Sequence, residues 1–216
     1  MNALKLKRFE VIDSFGYFVL ALTLGLLILF VSVSLASYEL MAVENGESKL
    51  RIDPINFSVS QDDGTVVEMS YKLPEVNTLP NNPFYGFKKL RDQLWLVFSG
   101  SGVKKARTSF LLADKKMAEA RMLIAEGEIR IALEASQEAL EKLKYTDELL
   151  STGNQSKIDE ARQIREEVYM AGLAYVEVLK GVESSFEGGG EKYNNIKQEL
   201  NEFNQKIQEE REERSI

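Results

Sequence analysis

Cysteine and histidine are both absent from the 216 residues. Their absence excludes disulfide frameworks, Cys or His zinc sites, thiol nucleophiles and every triad built on a histidine base. It also excludes a lipid-modified cysteine anchor. Proline is scarce, four in all, and three of them, Pro74, Pro80 and Pro83, fall in one short stretch. A positive balance is missing too: 27 Lys and Arg stand against 34 Asp and Glu, a net charge of −7. Nucleic acid is therefore not an expected partner. Hydrophobic residues at 44% and charged residues at 28% are ordinary for a globular chain.

What the chain does have is one long apolar run. From Ser14 to Tyr38 no residue is charged. As a helix this run is roughly 37 Å long, enough for a hydrocarbon core of about 30 Å. Residues 14–38 are thus predicted to be a transmembrane anchor behind a cytoplasmic N-terminus, 1–13. Lys5, Lys7 and Arg8 precede the run, whereas Glu39, Glu44 and Glu47 follow it before any basic residue. The basic side stays in the cytoplasm, which places everything after Tyr38 outside. Ser34 and Ala36 also stand at the spacing of a signal-peptidase site. The alternative is therefore cleavage near Ala36 and a periplasmic or secreted product. The run is longer than a usual signal-peptide core of about 7–15 residues, which favours the uncleaved anchor.

Charge divides the remainder. Residues 38–82 carry a net −5, residues 83–107 a net +5 and residues 108–216 a net −8. In the first of these, Leu50–Asp53, Ile55–Val59 and Val67–Leu73 alternate apolar and polar side chains around the turn signal Gln61-Asp-Asp-Gly64, which predicts a small β-hairpin. Asp62-Asp63-Gly64 does not extend to calcium: Val59 and Ser70 occupy the positions of the first and last EF-hand ligands. The hairpin and a Pro-rich extended segment form a linker over 39–82, and a helix starts at or after Pro83.

Beyond Pro83 the apolar period is helical. Phe84, Phe87, Leu90, Leu94, Val97 and Phe98 mark one face of a first helix, with Trp95 beside it, and Ser99–Gly102 ends it. A second helix carries Ala106, Phe110, Ala113, Met117, Ala120 and Ile124, and Glu126-Gly127-Glu128 reads as a tight turn. A third carries Ile129, Leu133, Ser136, Leu140, Leu143 and Leu150. Ser156 and Asp159 read as a capping box for a fourth with Ile158, Ala161, Val168, Gly172, Tyr175, Leu179, Val182 and Phe186. Gly188–Gly190 closes it. Tyr193, Ile196, Leu200, Phe203 and Ile207 then form a narrow three-four seam. The predicted fold is mainly α: an anchor, a hairpin with a Pro-rich segment, and an antiparallel bundle of four to five helices. The bundle spans 83–187, and a C-terminal helix, 188–216, either docks on it or projects to a partner.

Tyr71-Lys-Leu-Pro74, Leu79-Pro-Asn-Asn-Pro-Phe-Tyr85, Lys88-Lys-Leu-Arg-Asp92 and Ala113-Asp-Lys-Lys116 with Glu119-Ala120 resemble the bacterial family known as domain of unknown function 5667. The resemblance covers residues 71–150 and continues by pattern over 151–210. It implies an N-terminal membrane anchor and a Tyr-x-Leu-Pro lead-in to a run of helices. Ser99–Gly102 departs from the Asp-Pro-type turn of relatives. The family carries no known active site, so no functional residue transfers.

Chemistry without His or Cys needs carboxylates, Lys, Tyr or Ser. Glu166-Glu167, Glu209-Glu210 and Glu212-Glu213 are adjacent on helices and so point apart. Gly188–Gly190 lacks the Lys-Ser/Thr of a phosphate loop. No catalytic, cofactor-binding or metal-binding residue is predicted, and no cofactor. The basic cluster Lys88, Lys89, Arg91, Lys104, Lys105 and Arg107 is either a solvated face paired with acidic helices or a contact for anionic lipid or an acidic polymer. The seam Tyr193–Ile207 is a candidate partner surface. The expected function is a non-enzymatic, membrane-anchored extracytoplasmic scaffold that binds an envelope protein, with a homo-oligomer allowed. An envelope stress chaperone or adaptor is the alternative, and a carboxylate hydrolase comes third.

Overall fold

The structure, a computed structural model, describes residues 16–17, 19–20, 22–25, 27–28, 53–60, 65–76, 78–152, 158–185 and 190–213. Residues 1–49 form one compact unit and residues 50–216 another. In the first, the described residues are helical, and Thr23 Oγ1 donates to the Leu20 carbonyl at 2.9 Å. The rest of the predicted span 14–38 lies outside the described residues. No helix among the described residues is long and apolar enough to cross a membrane. The turn 61–64, Ser156 of the capping box, Phe186 and Gly188–Gly189 also lie outside them.

The second unit opens with a two-stranded antiparallel hairpin, β1 (Ile55–Ser60) and β2 (Val66–Tyr71). Its register pairs Ile55 with Tyr71, Phe57 with Met69 and Val59 with Val67. These are the residues that the two-residue period assigns to one face. Ile55 and Phe57 are buried, while Asn56 and Ser58 between them are exposed. Two strands alone are marginal in water. This hairpin is stabilised by packing on a helix, α4 below, and by Leu73 and Val76, which follow it into the core.

Five helices follow: α1 (Tyr85–Phe98), α2 (Val103–Ala125), α3 (Ile129–Ser151), α4 (Ile158–Ser185) and α5 (Glu191–Glu213). The α2–α3 reversal is a Schellman motif. The Glu128 N–H donates to Leu123 O at 2.8 Å and the Gly127 N–H to Ile124 O at 3.1 Å. Gly127 adopts φ +79°, open to glycine at little cost. Alanines 106, 113, 118, 120, 132, 135 and 139 are all buried and let helices approach closely. Arg107 meets Glu167 and Asp114 meets Tyr175, so α2 and α4 run parallel. Glu183 meets Tyr193 and Glu166 meets Arg211, so α4 and α5 run antiparallel. Helices α2 to α5 therefore form an up-down-up-down bundle.

Two expectations need correction. The seam of α5 does not face a partner: Tyr193, Ile196, Leu200, Phe203 and Ile207 are buried in the chain's own core. The helix docks, reinforced by Lys206 on Asp147 at 2.8 Å and Lys144 on Glu199 at 2.7 Å. The apolar stripe of α1 does the opposite. Phe84, Phe87, Leu90, Leu94, Trp95, Val97 and Phe98 are all exposed, and against the described residues α1 buries no side chain. Helix α1 lies on the bundle by its other side, through Tyr85, Lys88, Asp92 and Leu96, which are partly covered. The physical cause lies in the polar groups that α2 presents to it.

Candidate functional site

Helix α2 is the centre of the fold, and its buried residues are found on every side. Three of them are charged: Asp114, Lys116 and Glu119. Their spacing separates them into two clusters. Lys116 and Glu119 are three apart and share a face. Asp114 points to another side of the helix.

Asp114 faces the hairpin and α4. Its carboxylate accepts from Tyr71 Oη at 2.8 Å and from Tyr175 Oη at 2.9 Å. Among the described residues no cation pairs with it. Burial pushes its pKa up to about 6, opposed by the two tyrosine hydrogen bonds and aided by the charge of Glu167. Burial, with the neighbouring Asp114 charge, holds both tyrosine hydroxyls well above their ordinary value. They remain donors at any physiological pH.

Glu119, 1% exposed, faces α1. It accepts from Tyr85 Oη at 2.6 Å and from Lys88 Nζ at 2.7 Å, and lies 3.2 Å from Lys116 Nζ. Lys116 also donates to the Tyr85 hydroxyl and meets Glu138 of α3 at 2.7 Å. Burial works to lower the Lys116 pKa, but the Glu119 charge and bonds to Glu138 and Tyr85 override it and hold the ammonium above its usual range. Lys88 further donates to the Thr78 carbonyl at 2.8 Å. One buried cluster thereby ties the Pro-rich lead-in, α1, α2 and α3 together. Beside it lies a cleft of about 50 Å³ lined by Lys89, Asp92, Lys115, Lys142 and others. Sites for small organic ligands run to about 300–1,000 Å³, and this cleft is well below that. A wider depression of about 340 Å³ on α5, lined by Asn194, Lys197, Gln198, Asn201, Glu202 and Gln205, is open helix surface. No group of three acidic side chains with metal-ligand proximity occurs among the described residues.

The predicted basic cluster divides. Lys88 is nearly buried on Glu119. Lys89 meets Glu138 at 3.4 Å and Arg91 meets Asp92 at 3.0 Å, but both cations stay largely exposed. Lys105 lies 5.9 Å from the Tyr145 ring centroid, Arg107 pairs with Glu167 at 3.5 Å, and Lys104 is exposed. The structure therefore removes Lys88 from the surface and keeps Lys89, Arg91, Lys104 and Arg107 on it. Asp114, Glu119, Tyr71, Tyr85 and Tyr175 were not predicted as a site. The only signal for four of them was their place in the family-like motifs.

Residues 77–171 match the family model described as Domain of unknown function (DUF5667). These residues belong to that family. No curated protein and no solved structure matches the chain. The DUF5667 region contains α1, α2, α3 and the first half of α4. It holds the whole Glu119 cluster and Asp114, but neither of the tyrosines, Tyr71 and Tyr175, that donate to Asp114. The Glu119 cluster is thus internal to the family region, and the Asp114 contacts fasten flanking elements onto it.

Proposed function

We propose that the chain is a non-enzymatic, membrane-anchored scaffold. Residues 14–38 span the membrane, the N-terminus stays in the cytoplasm, and the bundle stands outside as an interaction module for another envelope protein. One observation carries the non-enzymatic part. The buried charged groups Asp114, Lys116, Glu119 and Asp147 each have a partner inside the fold, and the cleft beside Lys116 and Glu119 has a volume of about 50 Å³. A catalytic group needs a reacting atom within hydrogen-bond reach, and the small cleft beside Lys116 and Glu119 supports the non-enzymatic reading. The charge-free run supports the anchor, and the net −8 over residues 108–216 favours a partner with a basic surface.

Carbonate extraction and external protease digestion test the anchor and its direction. The chain should resist carbonate, and protease added outside should remove the bundle. Release by carbonate, or full protection in intact cells, overturns the reading. Cross-linking in native membranes should then join the chain to one dominant envelope protein. The exposed apolar side of α1 favours a second reading, an envelope holdase or adaptor. That reading requires the full chain to suppress aggregation of unrelated clients, and failure at molar excess removes it.

A further inference from the structure

We infer that α1 is an interfacial helix, whose outer apolar face seats in the headgroup–acyl boundary of an anionic bilayer. The inference deepens the membrane-anchored reading above and rests on it for the supply of the bilayer.

The helix is inverted. At 100° per residue, Phe87, Leu90, Leu94, Val97 and Phe98 fall within an arc of about 100°, roughly opposite Tyr85, Lys88, Asp92 and Leu96. The polar side holds the bundle and the apolar side faces away, with Val97 67% and Phe98 80% exposed. Trp95 lies on the flank, its ring 5.1 Å from Lys115 Nζ. An apolar face of Phe, Leu and Val with Trp at its border and Lys or Arg beside it is the composition of helices that lie in a membrane interface.

Charge selects the bilayer over a second copy. Residues 83–107 carry a net +5 in a chain whose net charge is −7; Lys88 is taken up by Glu119 and Arg107 pairs with Glu167, which leaves Lys89, Arg91 and Lys104 as the exposed cations near α1. Arg91 and Lys89 flank the face with most of their side chains exposed, and Lys104 is exposed just past the turn that ends α1. Asp92, the acidic residue of α1, is already paired with Arg91 and mostly covered. Two copies meeting through this face would therefore oppose cation to cation, whereas lipid phosphates complement it.

Trp95 is the single tryptophan, so its fluorescence reports α1 alone. The experiment places the full chain in vesicles of zwitterionic lipid, with and without anionic lipid, carrying bromine at shallow or deep acyl positions. Trp95 should be quenched most by shallow bromines and shielded from aqueous iodide, more so with anionic lipid. Leu90→Gln/Leu94→Gln/Val97→Gln should abolish lipid quenching and open Trp95 to iodide at unchanged far-UV circular dichroism. Lys104→Gln should lower the seated-to-free ratio about fivefold. A wild-type Trp95 open to iodide and untouched by lipid bromines overturns the inference. So does a Trp95 shielded from both quenchers in a cross-linkable dimer, which would assign the face to a second copy. The wild-type pattern decides even if the triple variant misfolds. Flotation and carbonate extraction read the anchor separately. A floating, carbonate-resistant chain with an iodide-open Trp95 sinks the seat alone, and lipid quenching in a chain that carbonate strips off sinks the anchor alone.

Discussion

Asp114→Asn should erase a pH dependence that the native chain carries. Asp114 is 7% exposed, with two tyrosine hydroxyls as partners and no cation among the described residues. Folding moves its pKa from 3.8 up to about 6. The folded state therefore binds this proton more tightly than the unfolded state does. Unfolding free energy falls with pH wherever the folded state holds more protons. The stabilisation is full below about pH 4 and is lost as pH rises through about 6. The full difference is about 3 kcal/mol, taken at 1.36 kcal/mol per pKa unit. An asparagine stays neutral throughout and keeps one acceptor oxygen for the tyrosines. The assay is urea unfolding of both full chains in neutral detergent at pH 4.5, 5.5, 6.5 and 7.5, followed at 222 nm. Native stability minus variant stability should fall by about 2 kcal/mol across that range, the first ~1 kcal/mol being lost already below pH 4.5. Other carboxylates titrate in both proteins and cancel in the difference. Parallel curves for the two chains would mean instead that Asp114 ionises in the fold as it does in water, with no stabilisation of its protonated form.

Glu119→Ala should cost about 3 kcal/mol, because it strands Lys88 and leaves Tyr85 without its acceptor. Lys88→Met/Glu119→Leu should recover most of that loss, and a double variant as unstable as the single one in urea melts would contradict it. Gly172→Ala sets about 1 kcal/mol of helix propensity against a Cβ that would overlap Asn204 Oδ1. Asn204 is buried, so overpacking of about 2 kcal/mol should prevail and the melting temperature should fall. A rise would show that Asn204 moves aside freely. Lys206→Met leaves buried Asp147 without its cation while Asp147 Oδ1 already lacks a partner among the described residues. It should cost about 2 kcal/mol and speed proteolysis of α5. Arg211→Gln, at an exposed pair with Glu166, should cost under about 1 kcal/mol.

Much of the architecture was legible because it is written in local periods. The hairpin follows from alternation at Ile55–Val59 and Val67–Tyr71. The α2–α3 reversal follows from Gly127, and the helices from their three-four stripes. What a stripe cannot state is the identity of its cover. The seam of α5 and the face of α1 carry the same signal, yet one is buried by the bundle and the other by nothing in the described chain. Glu119 was hidden for a related reason. It lies well away from the Ala113, Met117 and Ala120 stripe of α2, where a helical wheel predicts solvent. It is buried only because α1 crosses over it. Asp114 stands nearer that stripe, but its tyrosine partners come from 43 residues before and 61 after. Such pairings belong to tertiary structure, and only the shared family-like motifs hinted at them.

The orientation of α1 follows from a competition between its two faces. Rolled over, it would bury Phe87, Leu90, Leu94 and Val97 on α2, each worth about 1.5–3 kcal/mol. The roll would also press those side chains onto Glu119 and Lys116, with Tyr85 and Lys88 carried away. A buried carboxylate stripped of its partners costs several kcal/mol, and the uncompensated ammonium adds to it. Buried ion pairs add little stability relative to well-packed apolar residues. What this cluster contributes is direction, since only one roll of α1 satisfies Glu119. The apolar stripe is thereby held outward by design of the polar one. A soluble surface gains nothing from that arrangement, because exposing the stripe to water forfeits its burial energy. The same charges that fix α1 on the bundle therefore account for an apolar face that the described residues leave uncovered.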